Sequence, residues 1–420
     1  MLFSTLALAG LVAANKACNP QSTYWETKYT ATGVADVAAA AATAKTSSPT
    51  SHVPGKAFDR LVIVYFENQD YDKSIGDPNF KFFADKGILL DNYFAVTHPS
   101  QPNYMAAIAG DYFGMQNDDF TRAPRNISTV IDLLEHRGIS WGHYQEDMPY
   151  SGFEGFQYKN QQTGANDYVR KHNPAILHDS VTHYERRLAQ IKNLSMIDTS
   201  RSEFHKDLKA NKLPQWMFIT PNMTSDGHDT SITVAGAWCR TFLEPLLTDK
   251  NFMQNTLVVL TFDENETYPT RNNILGILIG DAVPKKLVGT TDSNFYNHYS
   301  EIATVSANWD LPTLGRWDVG ANVYKMVADK TGDKLRSWAS KEKLQSYFFN
   351  QSQAGTYNEL KGGLKLFPAP NLKLDKAANG RRILPQVIKT WEHSQLPTYY
   401  EDTVEVPDGL HPPQGWAQPQ

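Results

Sequence analysis

The sequence is poor in cysteine, has no excess of positive charge and has no long hydrophobic run in its body. Two cysteines in 420 residues allow at most one intramolecular disulfide. A net charge of −5 and a pI near 6.2 argue against a protein that coats nucleic acid, so no nucleic-acid partner is expected. Without a later apolar run of membrane-spanning length, stable membrane insertion is not expected either.

What is present suits a large folded enzyme or binding protein. Hydrophobic residues make up 41% of the chain and charged residues 20%, which favours a sizeable core and excludes intrinsic disorder. The length is compatible with one large α/β domain or with two ordinary ones. A bound cation can dominate the local field, so the negative net charge leaves an anionic substrate open.

The N-terminus is typical of a secretory signal peptide. Leu2 to Ala14 is an apolar run that is too short to span a bilayer and ends in small residues. Cleavage after Ala14 and after Ala17 both fit, and residues 1–17 are taken as the signal peptide. The protein is therefore predicted to be secreted into the extracellular space.

Secretion bears on the cysteines and on glycosylation. In a secreted chain Cys18 is expected to pair with Cys239 and to tie the mature N-terminus to the body; two unpaired thiols are the alternative. Several N-x-S/T sequons together favour a glycoprotein. Two of them lie beside the predicted metal-binding residues, so not all of the sequons are expected to carry a glycan. The asparagines are Asn126, Asn193, Asn222, Asn265 and Asn350.

Composition divides the remainder into three parts. Residues 18–57 form an N-terminal segment that ends in a linker rich in Ser, Thr and Pro, from Ser47 to Pro54. The main domain is predicted over residues 58–346, where strand and helix patterns alternate. Residues 347–420 are richer in Pro and Gly and are predicted to form an extension and a surface tail.

Four apolar runs predict the strands of a central sheet, because continuous β-branched and aromatic residues are typical of strands buried on both faces. They are Leu61–Phe66, Trp216–Thr220, Thr256–Phe262 and Ile274–Ile279. Helical spacing is found in Thr129–His136, Arg201–Ala210 and Gly236–Leu247. This alternation predicts an α/β fold, specifically a three-layer α/β/α sandwich with a mostly parallel sheet.

Three of the predicted strands end directly in polar residues that can bind metal. The residues are Glu67 and Asn68 after the first strand, Asn222 and Asp226–Asp229 after the second, and Asp263 and Glu264 after the third. Ligands of open parallel sheets bind outside the carboxyl ends of the strands, so these groups are predicted to meet at one edge. A single acidic turn is more often structural, but three together favour a site.

The oxygen ligands in this set predict a divalent metal cation as cofactor, of open identity. Carboxylate and amide oxygens such as those of Glu67 and Asp263 are hard ligands. Adding His228 and His298 would suit zinc or iron as well. Taken alone, His298 is as compatible with a histidine on a surface loop.

A second feature is Ser100, at the start of a predicted helix. Pro102 suits a first helical turn, and Gly110 can end the helix. Free N–H groups and the helix dipole favour a phosphate at this position. A serine there is usually an N-cap; the functional alternative is a nucleophile activated by a cation, with Asn103 donating to a phosphoryl oxygen.

Two further polar segments are weaker candidates. Tyr144–Asp147 and Lys171–Pro174 both combine charged and hydrogen-bonding side chains in a short stretch. Each is compatible with a wall of the pocket that contacts the leaving group. Ordinary polar loop residues are the alternative, which the sequence favours slightly.

Taken together, four motifs identify a family by their order and spacing. Phe66–Asp72, Thr97–Tyr104, Thr220–Asp229 and Thr261–Glu264 resemble the phosphoesterase family of fungal secreted acid phosphatases. That family also contains bacterial phospholipases C and belongs to the alkaline-phosphatase-like superfamily. The resemblance runs from about Phe58 to about Tyr324 and implies an alkaline-phosphatase-like core within the main domain.

The resemblance also implies roles for individual residues. The implied metal ligands are Glu67, Asn68, Ser100, Asp263 and Glu264; a possible second metal would involve Asp226, His228 and His298. Ser100 is the implied nucleophile, with His228 and His298 as further catalytic groups. Substrate binding is assigned to Asn103, Asn222, His228 and His298.

The segment Ser100–Asn103 is also similar to the Thr-x-Pro-Asn segment of nucleotide phosphodiesterases. Those enzymes have a zinc-binding His where this sequence has Glu264, and an Asp where it has Glu67. Both changes move the site towards harder oxygen ligands. They favour one oxygen-bound cation over a pair of zinc ions.

The predicted activity is that of a secreted, metal-dependent acid phosphatase that hydrolyses small phosphomonoesters through a phosphoserine. The nearest alternative is a phosphodiesterase or phospholipase C on the same core. The alternative of another class is a non-catalytic secreted binding protein on this fold. Metal identity, physiological ester and oligomeric state are left open.

Overall fold

The computed structural model describes residues 33–268, 270–336, 367–374, 377–396, 398 and 400. The predicted signal peptide, Cys18 and Asn350 lie outside the described residues. Cys239 is buried, and it has no cysteine partner within the described part of the chain. The predicted disulfide therefore stays a prediction.

Among the described residues, nine strands form one central sheet and two more form a small separate ribbon. The central strands are β1 (Arg60–Phe66), β2 (Ile88–Phe94), β3 (Trp141–Glu146), β6 (Ile191–Leu194), β7 (Trp216–Thr220), β8 (Thr256–Phe262), β9 (Asn273–Ile279), β10 (Thr290–Asp292) and β11 (Tyr296–Asn297). The ribbon consists of β4 (Gln157–Lys159) and β5 (Asn166–Val169).

The order of the sheet is β10-β2-β9-β8-β1-β7-β3-β6, and β11 also pairs with β2. Strand β1 lies between β7 and β8 and is parallel to both. Strand β9 runs antiparallel to its two neighbours, because it returns from β8 through a short connection. The sheet is therefore mixed but mostly parallel, as predicted.

Helices pack on both sides of the sheet and complete the predicted three layers. They are α1 (Val34–Ala41), α2 (Tyr71–Gly76), α3 (Pro78–Ala84), α4 (Ser100–Ala109), α5 (Val130–His136), α6 (Asp179–Thr182), α7 (Glu185–Leu188), α8 (Glu203–Lys209), α9 (Ile232–Leu246), α10 (Lys250–Met253), α11 (Tyr299–Trp309), α12 (Lys325–Thr331), α13 (Ala377–Gly380) and α14 (Pro385–Trp391). No helix in the described ranges is both long and apolar enough to cross a bilayer.

The predicted elements agree with the structure to within a few residues. Helix α5 begins after Thr129, whose hydroxyl and backbone form a capping box with Asp132. Helix α9 begins four residues before the predicted Gly236, because Ser231 caps it by accepting from Val234 N–H. The four predicted strands are all present, and β1 and β8 are almost entirely buried.

Strand β3 has no counterpart among the predicted strands because its sequence is polar. It contains His143, Gln145 and Glu146, yet all of its residues are buried between β7 and β6. The segment Tyr144–Asp147 therefore starts inside a central strand. A fourth strand thus ends in acidic residues at the same edge of the sheet as β1, β7 and β8.

The segments at both ends of the main domain pack against it. The predicted linker is bound through Ser51, whose hydroxyl contacts Ser140 and Gln215 at 2.9 and 2.6 Å. At the other end, Trp391 of α14 is buried and donates from Nε1 to the carbonyl of Asn126. The described residues of the predicted extension thus contribute to the core.

Candidate active site

Parallel pairing brings the ends of the central strands to one edge of the sheet. Phe66 pairs with Phe262, so the residues that follow β1 and β8 emerge side by side. The backbone N–H of Asp263 donates to Phe66 O at 3.0 Å, and that of Glu67 donates to Asp226 O at 3.1 Å. The predicted meeting of these chain segments is thus present in the fold.

Ser100 is the first residue of α4 and is almost fully buried. Its Oγ lies 3.1 Å from Glu67 Oε2 and 3.3 Å from Glu264 Oε1. Asn68 Oδ1 is 3.5 Å away, and Asn68 N–H donates to Asp263 Oδ1 at 3.1 Å. The five residues predicted as the metal shell therefore lie together.

This group has more hydrogen-bond acceptors than hydrogens. The Ser100 hydroxyl has one hydrogen, which can serve only one of the two carboxylates that it faces. The Asn68 amide is satisfied when its nitrogen donates to Glu67 Oε2 at 3.0 Å and Asp263 Oδ1 at 3.2 Å. Asp226 Oδ2 and Asp263 Oδ2 are buried and have no hydrogen-bond partner, so these residues fit a hard divalent ion.

Charge repulsion in the cluster supports the same conclusion. Burial, followed by the charges of Asp263 and Asp226, raises the pKa of Glu67 well above its usual range. Burial likewise raises the pKa values of Asp226 and Glu264, and that of Asp263 to about 6. Four buried carboxyl groups repel one another unless protons or a metal ion neutralise them.

His98 orients one of these carboxylates. Its Nδ1 pairs with Glu264 Oε2, while the other oxygen of Glu264 faces Ser100. Its ring lies against Tyr268, with ring centroids 3.9 Å apart, and burial lowers its pKa to about 4. His98 belongs to the Thr97–Tyr104 motif, but the sequence offered no role for it.

His172, from one of the two weaker candidate segments, lies inside the site. Its Nε2 is 3.1 Å from Glu67 Oε1, and its Nδ1 is 3.6 Å from Asp226 Oδ2. Its ring stacks on Tyr104, whose hydroxyl donates to Glu67 Oε1 at 2.5 Å. Ligand atoms of Glu67, His172 and Asp226 lie within 4.8 Å of one another and could hold a metal ion.

Of the residues predicted for a possible second metal, Asp226 belongs to this group, whereas His228 and His298 lie outside it. His228 lies near the group, with its ring centroid 5.9 Å from that of His172, and is partly exposed. Burial and the charge of Lys171 lower the pKa of His228. Its partial exposure places it at the mouth of the site.

His298 lies behind the site, not in it. It is fully buried, and its two ring nitrogens contact Tyr65 Oη at 2.8 Å and the Asp263 carbonyl at 2.7 Å. The Tyr65 hydroxyl also contacts Glu301 Oε1 at 2.6 Å. In this position His298 supports the turn that contains Asp263, and its catalytic and substrate-binding roles stay predictions.

Asn103 bonds to the turn before Ser100. Its Nδ2 donates to Thr97 O at 2.9 Å and Pro99 O at 3.2 Å. Its Oδ1 accepts from Val96 and Thr97 N–H. Both ends of the amide hold this turn, and the phosphate contact of Asn103 stays a prediction.

Asn222 organises the loop that contains Asp226. Its backbone N–H donates to Glu146 Oε2 at 2.9 Å, and its Nδ2 donates to Asp147 Oδ2 at 2.7 Å. The segment Tyr144–Asp147 therefore holds Asn222 in place, and the phosphate contact of Asn222 stays a prediction. Asn265 is buried, and its Nδ2 has three acceptors of its own loop within reach, of which its two hydrogens can serve two, so glycosylation there stays a prediction as well.

Lys171 and Asp118 form an ion pair beside these groups. Lys171 Nζ lies 2.9 Å from Asp118 Oδ2. Burial alone would lower the pKa of Lys171, but the charges of Asp118 and Glu67 outweigh burial and raise it. The site therefore contains one firmly protonated amine close to its carboxylates.

Comparison with known proteins agrees with the motifs. Residues 78–312 match the model of the phosphoesterase family. The chain is 55% identical over 296 residues to the acid phosphatase of Aspergillus fumigatus, covering 70% of this chain and 65% of that protein. It is 49% identical to the phosphate-repressible acid phosphatase of Penicillium chrysogenum, covering 87% and 85% of the two chains. A solved alkaline phosphatase superfamily protein from Vibrio parahaemolyticus aligns with a TM-score of 0.39 and 11% identity, over 64% and 73% of the two chains.

Proposed function

The chain belongs to the phosphoesterase family, and we propose that it is a metal-dependent acid phosphatase that hydrolyses phosphomonoesters with Ser100 as nucleophile. The acid phosphatases of A. fumigatus and P. chrysogenum, similar over most of this chain, support phosphatase activity. A divalent cation is the proposed cofactor, small phosphate esters are the proposed substrates, and the proposed location is extracellular.

One observation supports this function above all others. A buried serine hydroxyl at a helix N-terminus faces the carboxylates of Glu67 and Glu264, at 3.1 and 3.3 Å. An ordinary N-cap serine bonds to the N–H groups of its own helix, whereas Ser100 is itself the first helical residue and has no such bond. The arrangement suits a hydroxyl that is to lose its proton and attack.

The cation would be held by Glu67, Asn68, Ser100, Asp263 and Glu264, which supply the hard oxygen atoms described above. When bound, it lowers the pKa of the serine hydroxyl and offsets negative charge on a phosphoryl group. His98 keeps Glu264 turned towards Ser100, and His298 holds the Asp263 carbonyl. These two histidines orient the ligands without contacting substrate.

The reaction begins with in-line attack of Ser100 Oγ on phosphorus as the bond to the leaving alcohol breaks. The hydroxyl proton passes to a neighbouring carboxylate, of which Glu67 Oε2 is the nearest at 3.1 Å. His228 at the mouth protonates the leaving alcohol. Water then attacks the phosphoserine from the opposite side and gives a proton to His228, while Glu67 returns its proton to Ser100 Oγ as the bond from that oxygen to phosphorus breaks; inorganic phosphate is released and the serine is restored.

Turnover of matched esters tests this function. We expect p-nitrophenyl phosphate to be hydrolysed at mildly acidic pH with kcat/KM at least about 100-fold above that of bis-p-nitrophenyl phosphate or phosphatidylcholine. Faster hydrolysis of either diester would favour the phosphodiesterase or phospholipase C alternative. Hydrolysis of no ester by metal-loaded protein would favour the binding protein.

A further inference from the structure

Asp118 connects the nucleophile's helix to the lysine beside the site. Its Oδ1 accepts the backbone N–H of Gln101 at 3.0 Å, and its Oδ2 accepts from Lys171 Nζ at 2.9 Å. Gln101 directly follows Ser100 in the first turn of α4. A carboxylate of the chain itself thus binds two donors that lie next to the nucleophile.

Both of these donors suit a phosphate. A helix N-terminal N–H favours an anion, and the Lys171 ammonium is only 16% exposed, so it is poorly screened by solvent. Lys171 is also electrostatically coupled to Glu67 and Asp263, which raise its pKa. His172, the next residue, contacts Glu67. The donors therefore belong to the catalytic site itself.

The charge of Asp118 acts on Glu264 beside the nucleophile and on His228 at the mouth of the site. Burial raises the pKa of Glu264 at the nucleophile, and the charges of Asp263 and Asp118 raise it further; burial lowers the pKa of His228 at the mouth, and the charge of Asp118 opposes that shift. The Asp118 side chain is 29% exposed, so solvent and ligands can reach it. An entering phosphate therefore meets a negative charge that already occupies part of the donor set.

We propose that Asp118 is a specificity-determining residue that competes with the phosphoryl group for Lys171 and the Gln101 N–H. Phosphate then binds by displacing the Asp118 carboxylate, which lowers affinity for substrate and product and speeds product release. The inference rests on the proposed phosphatase function, since it assumes that a phosphoryl group reaches Ser100. Asp118 is a competitor in this scheme and performs no chemical step.

The loop that contains Asp118 can keep its conformation when the Asp118 carboxylate moves away from Lys171 and the Gln101 N–H. The Gln101 side chain is buried and donates from Nε2 to the backbone carbonyls of Asn117 and Asp119, at 3.3 and 2.9 Å. It also contacts Thr121 Oγ1 at 3.2 Å. These bonds hold the backbone on either side of Asp118 independently of its side chain.

Affinity for inorganic phosphate is the direct test. We expect Asp118→Asn, which removes the charge but keeps an acceptor for Gln101, to tighten phosphate inhibition about 10-fold and to lower KM for p-nitrophenyl phosphate. Asp119→Asn is the matched control, because Asp119 is the exposed neighbour with the same charge, and it should change neither value more than about twofold.

A second variant tests whether the competition is for the lysine. Lys171→Met should weaken phosphate inhibition, and in that background Asp118→Asn should tighten it by much less than in the native protein. An unchanged or weaker phosphate affinity in Asp118→Asn, or an effect of Asp118→Asn that is undiminished when Lys171 is absent, overturns the proposal. Calorimetric titration of phosphate into each variant reads binding without turnover, so a protein that hydrolyses no ester would refute the proposed function separately.

Discussion

Two groups of buried carboxyls in this protein have opposite hydrogen-bond balances. Around Ser100, the carboxyls of Glu67, Asp263 and Glu264 crowd together, and Asp263 Oδ2 has no hydrogen-bond partner. Behind them, Glu301 is equally buried, but its Oε1 forms hydrogen bonds with the hydroxyls of Tyr65 and Tyr93, at 2.6 and 2.8 Å. Buried carboxylate oxygens that lack hydrogen-bond donors can bind a cation, whereas a carboxyl group that has donors beside it helps to hold the fold together.

Counting hydrogens shows that the network around Glu301 is uncharged. His298 Nε2 must donate to the Asp263 carbonyl, so a neutral His298 accepts the single Tyr65 hydrogen at Nδ1. The contact between Tyr65 and Glu301 then requires a proton on Glu301. Burial raises the pKa of Glu301 to about 8 and lowers that of His298 to about 4, which agrees with a neutral network.

The largest expected effect is at the centre of the acceptor-rich group. Ser100→Ala should lower kcat by three or more orders of magnitude, because it removes the attacking oxygen while leaving the fold intact. Ser200→Ala, at an exposed serine, is the control and should keep full activity. Steady-state kinetics with p-nitrophenyl phosphate measures this; near-normal turnover in folded Ser100→Ala would refute serine attack.

Removal of metal should affect the same group strongly and should also destabilise the fold. Chelation is expected to abolish turnover and to lower Tm, because the buried carboxylates then repel each other; a cation at 100 times its Kd contributes about 2.7 kcal/mol. Turnover of p-nitrophenyl phosphate and thermal unfolding, each with metal analysis of the same sample, measure both effects.

Asp263→Asn should bind less metal, whereas Asp198→Asn at an exposed site should match the native protein. Full activity in protein from which the metal has been removed would mean that the carboxylates around Ser100 do not bind a catalytic cation.

The smallest effect is expected behind the site and depends on pH. The pKa of Glu301 rises from 4.5 in the unfolded chain to about 8 in the fold. Its contribution to stability is therefore fully present below pH 4.5 and is lost as the pH rises through about 8. Glu301→Gln cannot ionise, so its Tm relative to native protein should increase from pH 5 to pH 8.

Thermal unfolding of both proteins across this range measures the difference. Glu244→Gln, at a partly exposed glutamate of α9, should show no such trend. A difference between native and Glu301→Gln protein that stays constant with pH would mean that Glu301 is ionised in the fold.

The predictable parts of the molecule are those with a local pattern. Strands β1, β7 and β8 are continuous apolar runs, and the helix at Ser100 follows from Pro102 and Gly110. Strand β3 escaped prediction because polar residues interrupt it, although neighbouring strands bury them. His172 stood in a segment that looked like an ordinary polar loop.

By itself, the sequence determined which residues end the central strands and that Ser100 begins a helix, because both follow from periodicity along a short stretch. Only the tertiary structure decided which polar atoms face Ser100. Asn103 and His298 bond to backbone carbonyls, while His98, His172 and Asp118 contact the site. The partners of a buried polar group come from distant segments, and no local pattern encodes them.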